Sequence, residues 1–369
     1  MIWYIVICIL MLYPLAVTRE GTLAGKDTRP LGLLTGCMIL WFFMAMRDLS
    51  VGVDTKYYSY VFVQFADIPL SKVFTAVTYA TESETWAFDF EPGYRLVNKL
   101  VSWFSASPQA ITIFNSTLIM VLLYRLIRKD SPNYMLSLWL YITLGVFQTE
   151  MNVTRNAIAI LIVYNGFSYL RSWQLRKYLL VCIAASMFHV AALVMILVYW
   201  LVHYGKLTPK KCLLLVAVAC AVGVFYSYLA PFVRMIMPSR LDKYFSGGNE
   251  SLGSVLVGMF NGGVFLVCWW LMKPAERSRV FPECAPGIAM LVLNLCFFGL
   301  NIGLGDASRM AALFGPYLVI LIPQMLTLIE RGPRRREATA IVAALCGIQY
   351  VLRLCVNNIG GTLPYAFFW

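Results

Sequence analysis

The sequence is poor in charge, in acidic residues and in histidine. Only 13% of its 369 residues are charged, 18 are acidic against 30 basic, and two are histidine. Sixty per cent are hydrophobic, and the mean hydropathy is +0.72. A soluble domain of this length could not hide so much apolar surface, so the surrounding solvent must be lipid. The composition therefore predicts an integral membrane protein.

Cysteine is present but never in a functional spacing. The ten cysteines occur singly, mostly inside apolar runs, and no CxxC or Cys/His spacing appears. Such residues behave as small hydrophobic side chains and indicate neither a disulfide framework nor a metal site. We expect no metal and no cofactor.

Apolar runs long enough to cross about 30 Å of hydrocarbon recur along the chain. The first run, residues 1–17, lacks a basic n-region and a small-residue cleavage site, which is typical of a retained helix. We predict one all-α transmembrane domain over residues 1–369, with about ten membrane-spanning helices. The predicted spans are 2–18, 31–47, 108–127, 134–149, 154–170, 211–230, 254–272, 286–302, 310–329 and 338–355.

Nineteen of the thirty basic residues fall in six short clusters between apolar runs. These clusters are Arg19/Lys26/Arg29, Arg125/Arg128/Lys129, Arg171/Arg176/Lys177, Lys206/Lys210/Lys211, Lys273/Arg277/Arg279 and Arg331/Arg334/Arg335/Arg336. With seven nearby acids they account for the whole net charge of +12. Short basic loops mark the cytoplasmic face, so this excess predicts topology and contact with anionic lipid, not binding to nucleic acid.

The stretch 178–203 has two interpretations. As one long span it would invert every later loop and send the last basic cluster outside. As two half-helices that enter and leave from the cytoplasm, turning near Ser186 to His189, it keeps all six clusters together. We favour the broken or re-entrant pair, since broken helices at membrane depth line cavities.

This topology places both termini outside and leaves two outer segments, 48–107 and 231–254. The first contains a predicted short amphipathic helix near Tyr57 to Phe65 at the outer interface. Among the remaining eleven cations, five lie on or near this outer face: Arg47, Arg95, Arg155, Arg240 and Arg309. Cations at membrane depth are costly, so they predict a site for an anionic substrate.

Three motifs carry candidate chemistry. Arg155, in Asn152-Val153-Thr154-Arg155, offers a planar fork of donors suited to pyrophosphate, or it is a cation that reaches to the interface. Glu91, before Pro92-Gly93-Tyr94, is a fixed carboxylate for sugar hydroxyls or proton transfer, or a charge at a helix start. His189 suits proton transfer near neutrality, although a lone histidine among apolar residues is more often part of the core.

Further candidates lie at the outer ends of other spans. Arg47 and Asp54 form either a head-group site or an ordinary interfacial pair. Arg309 begins a span as Arg155 does, and Arg240 with Tyr244 adds a basic and aromatic element. The rings of Tyr58, Tyr94 and Tyr244 suit the C–H faces of sugars.

The order of these motifs resembles the EpsG-like branch of bacterial polysaccharide polymerases, the Wzy group. The resemblance rests on Arg47…Gly52-Val53-Asp54-Thr55…Tyr58, Glu91-Pro92-Gly93-Tyr94, Asn152…Arg155…Ala159, Phe188-His189-Val190-Ala191-Ala192-Leu193 and Arg240…Tyr244, over roughly residues 40 to 250. One departure is Asn156, where many relatives are expected to carry a Gln-like amide.

The resemblance implies a GT-C-like glycosyltransferase of the bacterial inner membrane, with its active site facing outward. It would join oligosaccharide repeat units carried on undecaprenyl pyrophosphate, without a nucleotide sugar or a metal, beside a chain-length regulator protein. Arg155, Arg47 and Arg309 would stabilise the departing pyrophosphate. His189, Asp54 and Glu91, in that order, are the candidate bases.

Three other functions fit parts of the pattern. A flippase or transporter of lipid-linked oligosaccharide also needs cations at a cavity, but no internal repeat is evident. A membrane acyltransferase would usually place an acid beside its histidine, which Phe188-His189-Val190 does not. A non-catalytic scaffold would not need so many interfacial cations.

Overall fold

A computed structural model describes residues 2–11, 22–23, 26–74, 90–226, 228, 252–305 and 307–369. The chain divides into two compact units. The first comprises Met1–Met195 and Gly347–Trp369, and the second comprises Ile196–Cys346.

Helices make up almost all of the described part of the first unit. They are α1 (Ile2–Leu10), α2 (Arg29–Ala45), α3 (Thr55–Asp67), α4 (Pro92–Ser102), α5 (Gln109–Asp130), α6 (Tyr134–Thr143), α7 (Val146–Asn152), α8 (Thr154–Asn165), α9 (Phe167–Arg171) and α10 (Leu175–Ser186). Short 3-10 helices span Leu70–Lys72, Val190–Met195 and Ile359–Gly361. Two-residue strands, β1 (Thr22–Leu23) and β2 (Lys26–Asp27), pair antiparallel before α2.

The second unit is also helical. It contains α11 (Ile196–His203), α12 (Pro209–Val224), α13 (Leu252–Trp270), α14 (Pro274–Glu283), α15 (Ala285–Leu300), α16 (Ala307–Ala311), α17 (Leu318–Leu328) and a 3-10 turn at Gly315–Tyr317. The last helix, α18 (Pro333–Asn357), passes from this unit into the first at Gly347.

The described residues are almost entirely helical, which is consistent with the predicted all-α membrane protein, and helix lies within each of the ten predicted spans. Among the described residues, three helices are long and apolar enough to cross a membrane: Gln109–Asp130, Ala307–Leu328 and Pro333–Leu354. A fourth candidate is the pair α14 and α15, bent by 85°. Most other apolar helices are short or interrupted, so the count of about ten and the GT-C-like fold remain predictions.

The chain reverses direction after α10. Its last residue, Ser186, is followed by a non-helical turn at 187–189 and then by the 3-10 helix Val190–Met195. The hydroxyl of Tyr178, near the start of α10, donates to the carbonyl of Met195 at 2.8 Å. In a continuous helix these residues would lie roughly 25 Å apart. This hydrogen bond excludes the single long span, and the turn falls where the sequence predicts it.

The C-terminal tail holds the loop that joins α2 to α3. Backbone amides of Asp48, Gly52 and Val53 donate to the carbonyls of Ala366, Gly361 and Gly360 at 2.9, 3.1 and 3.3 Å. The Tyr365 hydroxyl donates to the carbonyl of Phe43 at 2.6 Å, close to the end of α2. These hydrogen bonds fix the turn that carries Asp54.

Candidate functional site

The Glu-Pro-Gly-Tyr motif opens helix α4 and packs against the turn after α10. Glu91 is extended at the N-cap and Pro92 occupies the first turn, where its missing N–H costs nothing. The amide of Tyr94 donates to the carbonyl of Met187 at 3.1 Å. A Cβ at Gly93 would stand 2.8 Å from that same oxygen, closer than real Cβ atoms come. Glycine is therefore what lets the two segments meet.

The Glu91 carboxylate joins three segments that are distant in sequence. One oxygen, Oε2, accepts from Nη1 of Arg155 at 2.6 Å. The other, Oε1, accepts from the amide of Val190 at 3.0 Å and lies 3.0 Å from Nδ1 of His189. The side chains of Glu91, Arg155 and His189 are 14%, 18% and 31% exposed. A largely buried charged cluster that still reaches the surface is suited to binding and chemistry.

Aromatic rings surround the Arg155 guanidinium. Its central carbon lies 4.1 Å from the ring centroid of Phe90, 5.7 Å from Tyr58 and 5.9 Å from Tyr94. All three rings are buried. The hydroxyl of Tyr94 accepts from the side-chain amide of Asn115 at 2.7 Å, which fixes that ring. Cation–π attraction and the carboxylate together hold the guanidinium in one orientation.

Electrostatics keep Glu91 ionised. Burial alone raises the pKa of this carboxyl, but the hydrogen bond with His189 and the charge of Arg155 outweigh it, so the pKa lies below its usual value. An ionised carboxylate can only accept hydrogen bonds, so the neutral tautomer of His189 that fits this contact carries its hydrogen on Nδ1. The lone pair on Nε2 is then available to take a proton.

Asp54 is held by the residue at the end of α7. Gly52 has φ of 96°, which glycine adopts readily, and the turn it makes brings the Asp54 amide to Oδ1 of Asn152 at 2.8 Å. The helix breaks at Val153, and Arg155 lies in the first turn of α8. The structure thus fixes Asp54 to the residue three positions before Arg155.

Arg47 is 1% exposed and turns inward. Its guanidinium donates to the carbonyl of Met44 and, at 2.8 Å, to that of Met151 in α7. These bonds join the end of α2 to the segment that leads to Asn152. The sequence predicts a pyrophosphate ligand here, whereas the described partners are backbone carbonyls.

Five of the ten predicted site residues meet in one cluster: Tyr58, Glu91, Tyr94, Arg155 and His189. Arg309 is an exposed residue of α16 in the second unit. Arg240 and Tyr244 lie outside the described residues. Over the described ranges, no three His, Cys, Asp or Glu side chains are placed to hold a metal ion.

Sequence reasoning missed Phe90 and Met187. Phe90 makes the closest ring contact with Arg155, and Met187 supplies the carbonyl that Tyr94 binds. The only signal for Phe90 is an aromatic residue directly before the Glu-Pro turn. Nothing in the sequence marks Met187, because its contribution comes from the backbone.

Of three comparisons with known proteins, one gave a match. The comparisons with curated proteins and with solved structures found no match. The model of the EpsG family matches residues 33–367, a range that includes every residue of the Glu91 cluster. The chain therefore belongs to the EpsG family, a Wzy-like family of polysaccharide polymerases.

Proposed function

We propose that this protein joins oligosaccharide repeat units carried on undecaprenyl pyrophosphate, at the outer face of the bacterial inner membrane. Family membership supports polymerase activity. The observation that carries the chemistry is the Glu91 carboxylate, which binds Arg155 through one oxygen and His189 through the other. A general base and a cation for a leaving group thus share one positioning residue.

The reaction is displacement at an anomeric carbon. A hydroxyl oxygen of the acceptor repeat unit forms a bond to that carbon, and the bond from the carbon to the pyrophosphate oxygen breaks. The bonding electrons leave with the pyrophosphate, and the hydroxyl proton moves to Nε2 of His189. Both the developing negative charge and the proton therefore have a defined destination.

Glu91 acts on His189 in the way a carboxylate acts in a catalytic triad. It holds the ring in one orientation and one tautomer through Nδ1, and its charge stabilises the imidazolium that forms. The amide of Val190 donates to the same carboxylate oxygen, which keeps it aimed at the ring. A base held in this way loses less orientational freedom when the acceptor binds.

Arg155 stabilises the leaving group. A guanidinium carries five N–H donors, so it can hold the Glu91 carboxylate and a phosphate oxygen at once. Its stacking on Phe90 limits reorientation when charge develops. Because Tyr58 and Tyr94 are buried against the same group, we assign them to positioning Arg155 and not to stacking on sugar.

Arg47 and Asp54 support the site from one side. Arg47 joins α2 to α7, and Asp54 is fixed through Asn152 to the segment that enters α8. We propose that both act by placing Arg155 and that neither is the base.

The test is reconstitution of the purified protein with lipid-linked repeat units. We expect a ladder of products that differ by one repeat unit, analysed by gel electrophoresis and mass spectrometry. Transport of the same lipid across vesicles without any ladder would contradict the proposal. An unchanged ladder after chelation is expected, since no step uses a metal.

A further inference from the structure

An apolar groove lies within the second unit, at the end where two basic clusters occur. It has a volume of about 350 Å³ and is lined by side chains of α12, α13 and α15, with Phe281 of α14. On α12 the lining residues run from Pro209 to Val216, the first two turns of the helix, which also contain Lys210 and Lys211. On α13 it includes Trp269, just before the Lys273/Arg277/Arg279 cluster.

At the other end of the groove, small residues allow the helices to approach closely. A Cβ at Gly299 of α15 would stand 2.8 Å from Sγ of Cys220 in α12, and a Cβ at Gly258 of α13 would stand 2.7 Å from the ring of Phe298. Small residues allow helix backbones to come together in this way. Toward the basic clusters, larger side chains such as Leu213 and Leu291 line the space between the helices.

Two cations lie next to lining residues at this end of the groove, one in the first turn of α12 and one in α14. Lys210 is exposed and lies between the lining residues Pro209 and Cys212. Arg277 stands one helical turn before Phe281, and its Nε donates to the carbonyl of Trp269 at 2.8 Å. Both Phe281 and Trp269 line the groove, so the guanidinium lies beside its wall. The lining of the groove is therefore apolar, with the Arg277 guanidinium beside one wall and Lys210 in the helix turn that begins another.

We propose that this groove binds an anionic phospholipid, with one acyl chain between α12, α13 and α15 and the head-group phosphate near Lys210 and Arg277. Basic pockets between membrane helices recognise such head groups by charge, and the acyl chain is held by burial of apolar surface. The polyprenyl chain of the proposed donor is the other occupant to consider. We choose the phospholipid because these basic clusters predict the cytoplasmic leaflet, whereas the donor reacts at the outer face.

Two adjacent glycines give a matched test. Gly262 lines the groove, and a Cβ there would meet only the side chain of Leu295, at 3.4 Å, so a larger side chain would enter the empty space. Gly263 is the next residue of the same helix, and a Cβ there meets nothing within 4 Å. Gly262→Leu and Gly263→Leu therefore change composition and helix propensity equally, but only the first fills the groove.

The experiment is native mass spectrometry of the purified full-length protein with phosphatidylglycerol or phosphatidylcholine of identical acyl chains. We expect phosphatidylglycerol to be retained at least severalfold more, Gly262→Leu to lose that retention, and Gly263→Leu to keep it. Lys210→Gln should reduce the preference for phosphatidylglycerol and leave the retention of phosphatidylcholine unchanged.

Three results would overturn the proposal: equal retention of the two lipids, equal retention by the two glycine variants, or displacement of phosphatidylglycerol by an equimolar amount of undecaprenyl phosphate. The last would assign the groove to a polyprenyl chain. Polymer formation is not measured here, so failure of the proposed polymerase activity leaves this test intact.

Discussion

Each of the two units contains a glutamate that accepts a hydrogen bond from an arginine at 2.6 Å. In the first unit this pair is Glu91 and Arg155, and in the second it is Glu276 and Arg334. Both carboxylates are largely buried, at 14% and 11% exposed. The two pairs are nearly alike in charge, in distance and in the burial of the carboxylate, although Arg334 is 35% exposed and Arg155 18%. None of these properties identifies a functional site by itself.

The difference lies in what else each pair contacts. Glu276 also accepts from the amides of Lys273 and Glu330, at 2.7 and 3.2 Å, and Arg334 donates to the carbonyl of Leu271 at 2.9 Å. These further partners are all backbone N–H or C=O groups, so the pair serves to connect helix ends. Glu91 also contacts Nδ1 of His189, which leaves the second ring nitrogen outside this contact. The aromatic rings around Arg155 hold the guanidinium in place. Among the described contacts of the two pairs, only the first includes a histidine, the residue proposed above as the base.

The largest expected effect separates the two glutamates. Glu91→Gln removes the charge that orients His189 and the partner of Arg155, so polymer formation should fall by roughly 10³-fold, with protein abundance maintained. Glu276→Gln should leave the ladder length unchanged and lower the melting temperature, because it weakens bonds to helix ends, each worth about 1 kcal/mol. Gel analysis of polymer and thermal unfolding in detergent measure the two outcomes. Equal loss of polymer in both variants would contradict the distinction.

Arg155→Ala should reduce polymer about 10² to 10³-fold, the range typical of removing a group that stabilises developing charge. Arg155→Lys keeps the charge but loses the planar fork, so we expect partial recovery. The matched control is Arg334→Ala, which breaks the structural pair and should affect melting more than polymer. Normal long-chain polymer from Arg155→Ala, at wild-type protein abundance, would refute the leaving-group role.

The chain offers its own control for histidine, since it has only two. His189→Ala should lower polymer formation about 10²-fold, the lower end for loss of a general base. His203→Ala removes a ring that packs on Tyr199 at 4.4 Å in the second unit and should retain polymer formation. If His189→Ala and His189→Gln both polymerise normally, His189 is a core residue and the proposed base is wrong.

The sequence predicts the helices and the turn near Ser186 to His189 because both depend on local features, namely apolar length and the placement of basic loops. It also singles out Glu91, Arg155 and His189, since charged and titratable residues are rare here. It could not predict that the three meet, because Glu91 lies 64 residues from Arg155 and 98 from His189. That contact depends on Gly93 approaching the backbone of Met187.

Arg47 is a residue that the sequence singles out but whose role it does not determine. An arginine at the end of an apolar span is equally consistent with a head-group ligand and with an internal cation. The sequence cannot decide, because the partners that bury it are the carbonyls of Met44 and Met151, and every residue has a carbonyl. A rare charged residue in an apolar chain shows where the sequence accepts a desolvation cost. Only the packing around that residue shows whether it binds a ligand or holds the structure together.

The smallest expected effect is on the pH dependence of stability. The pKa of Glu91 lies below its ordinary value of 4.5, since the His189 bond and the Arg155 charge outweigh burial. A lowered pKa means that ionised Glu91 stabilises the folded state above that ordinary value, and that this stabilisation is lost as the pH falls through the folded-state pKa. The melting temperature of wild type should therefore exceed that of Glu91→Gln near neutrality. The difference should narrow only below about pH 4.5.

Thermal unfolding in detergent from neutral pH down to about pH 3 measures this difference, within the range in which carboxyl groups titrate. Glu283→Gln, which removes an exposed pair with Arg279, controls for general acid effects on the protein. A difference that narrows already above pH 6 would mean that burial dominates and that Glu91 takes up a proton near neutrality. A protonated Glu91 could donate a hydrogen bond as well as accept one. It would then no longer fix the tautomer and orientation of His189, the proposed base.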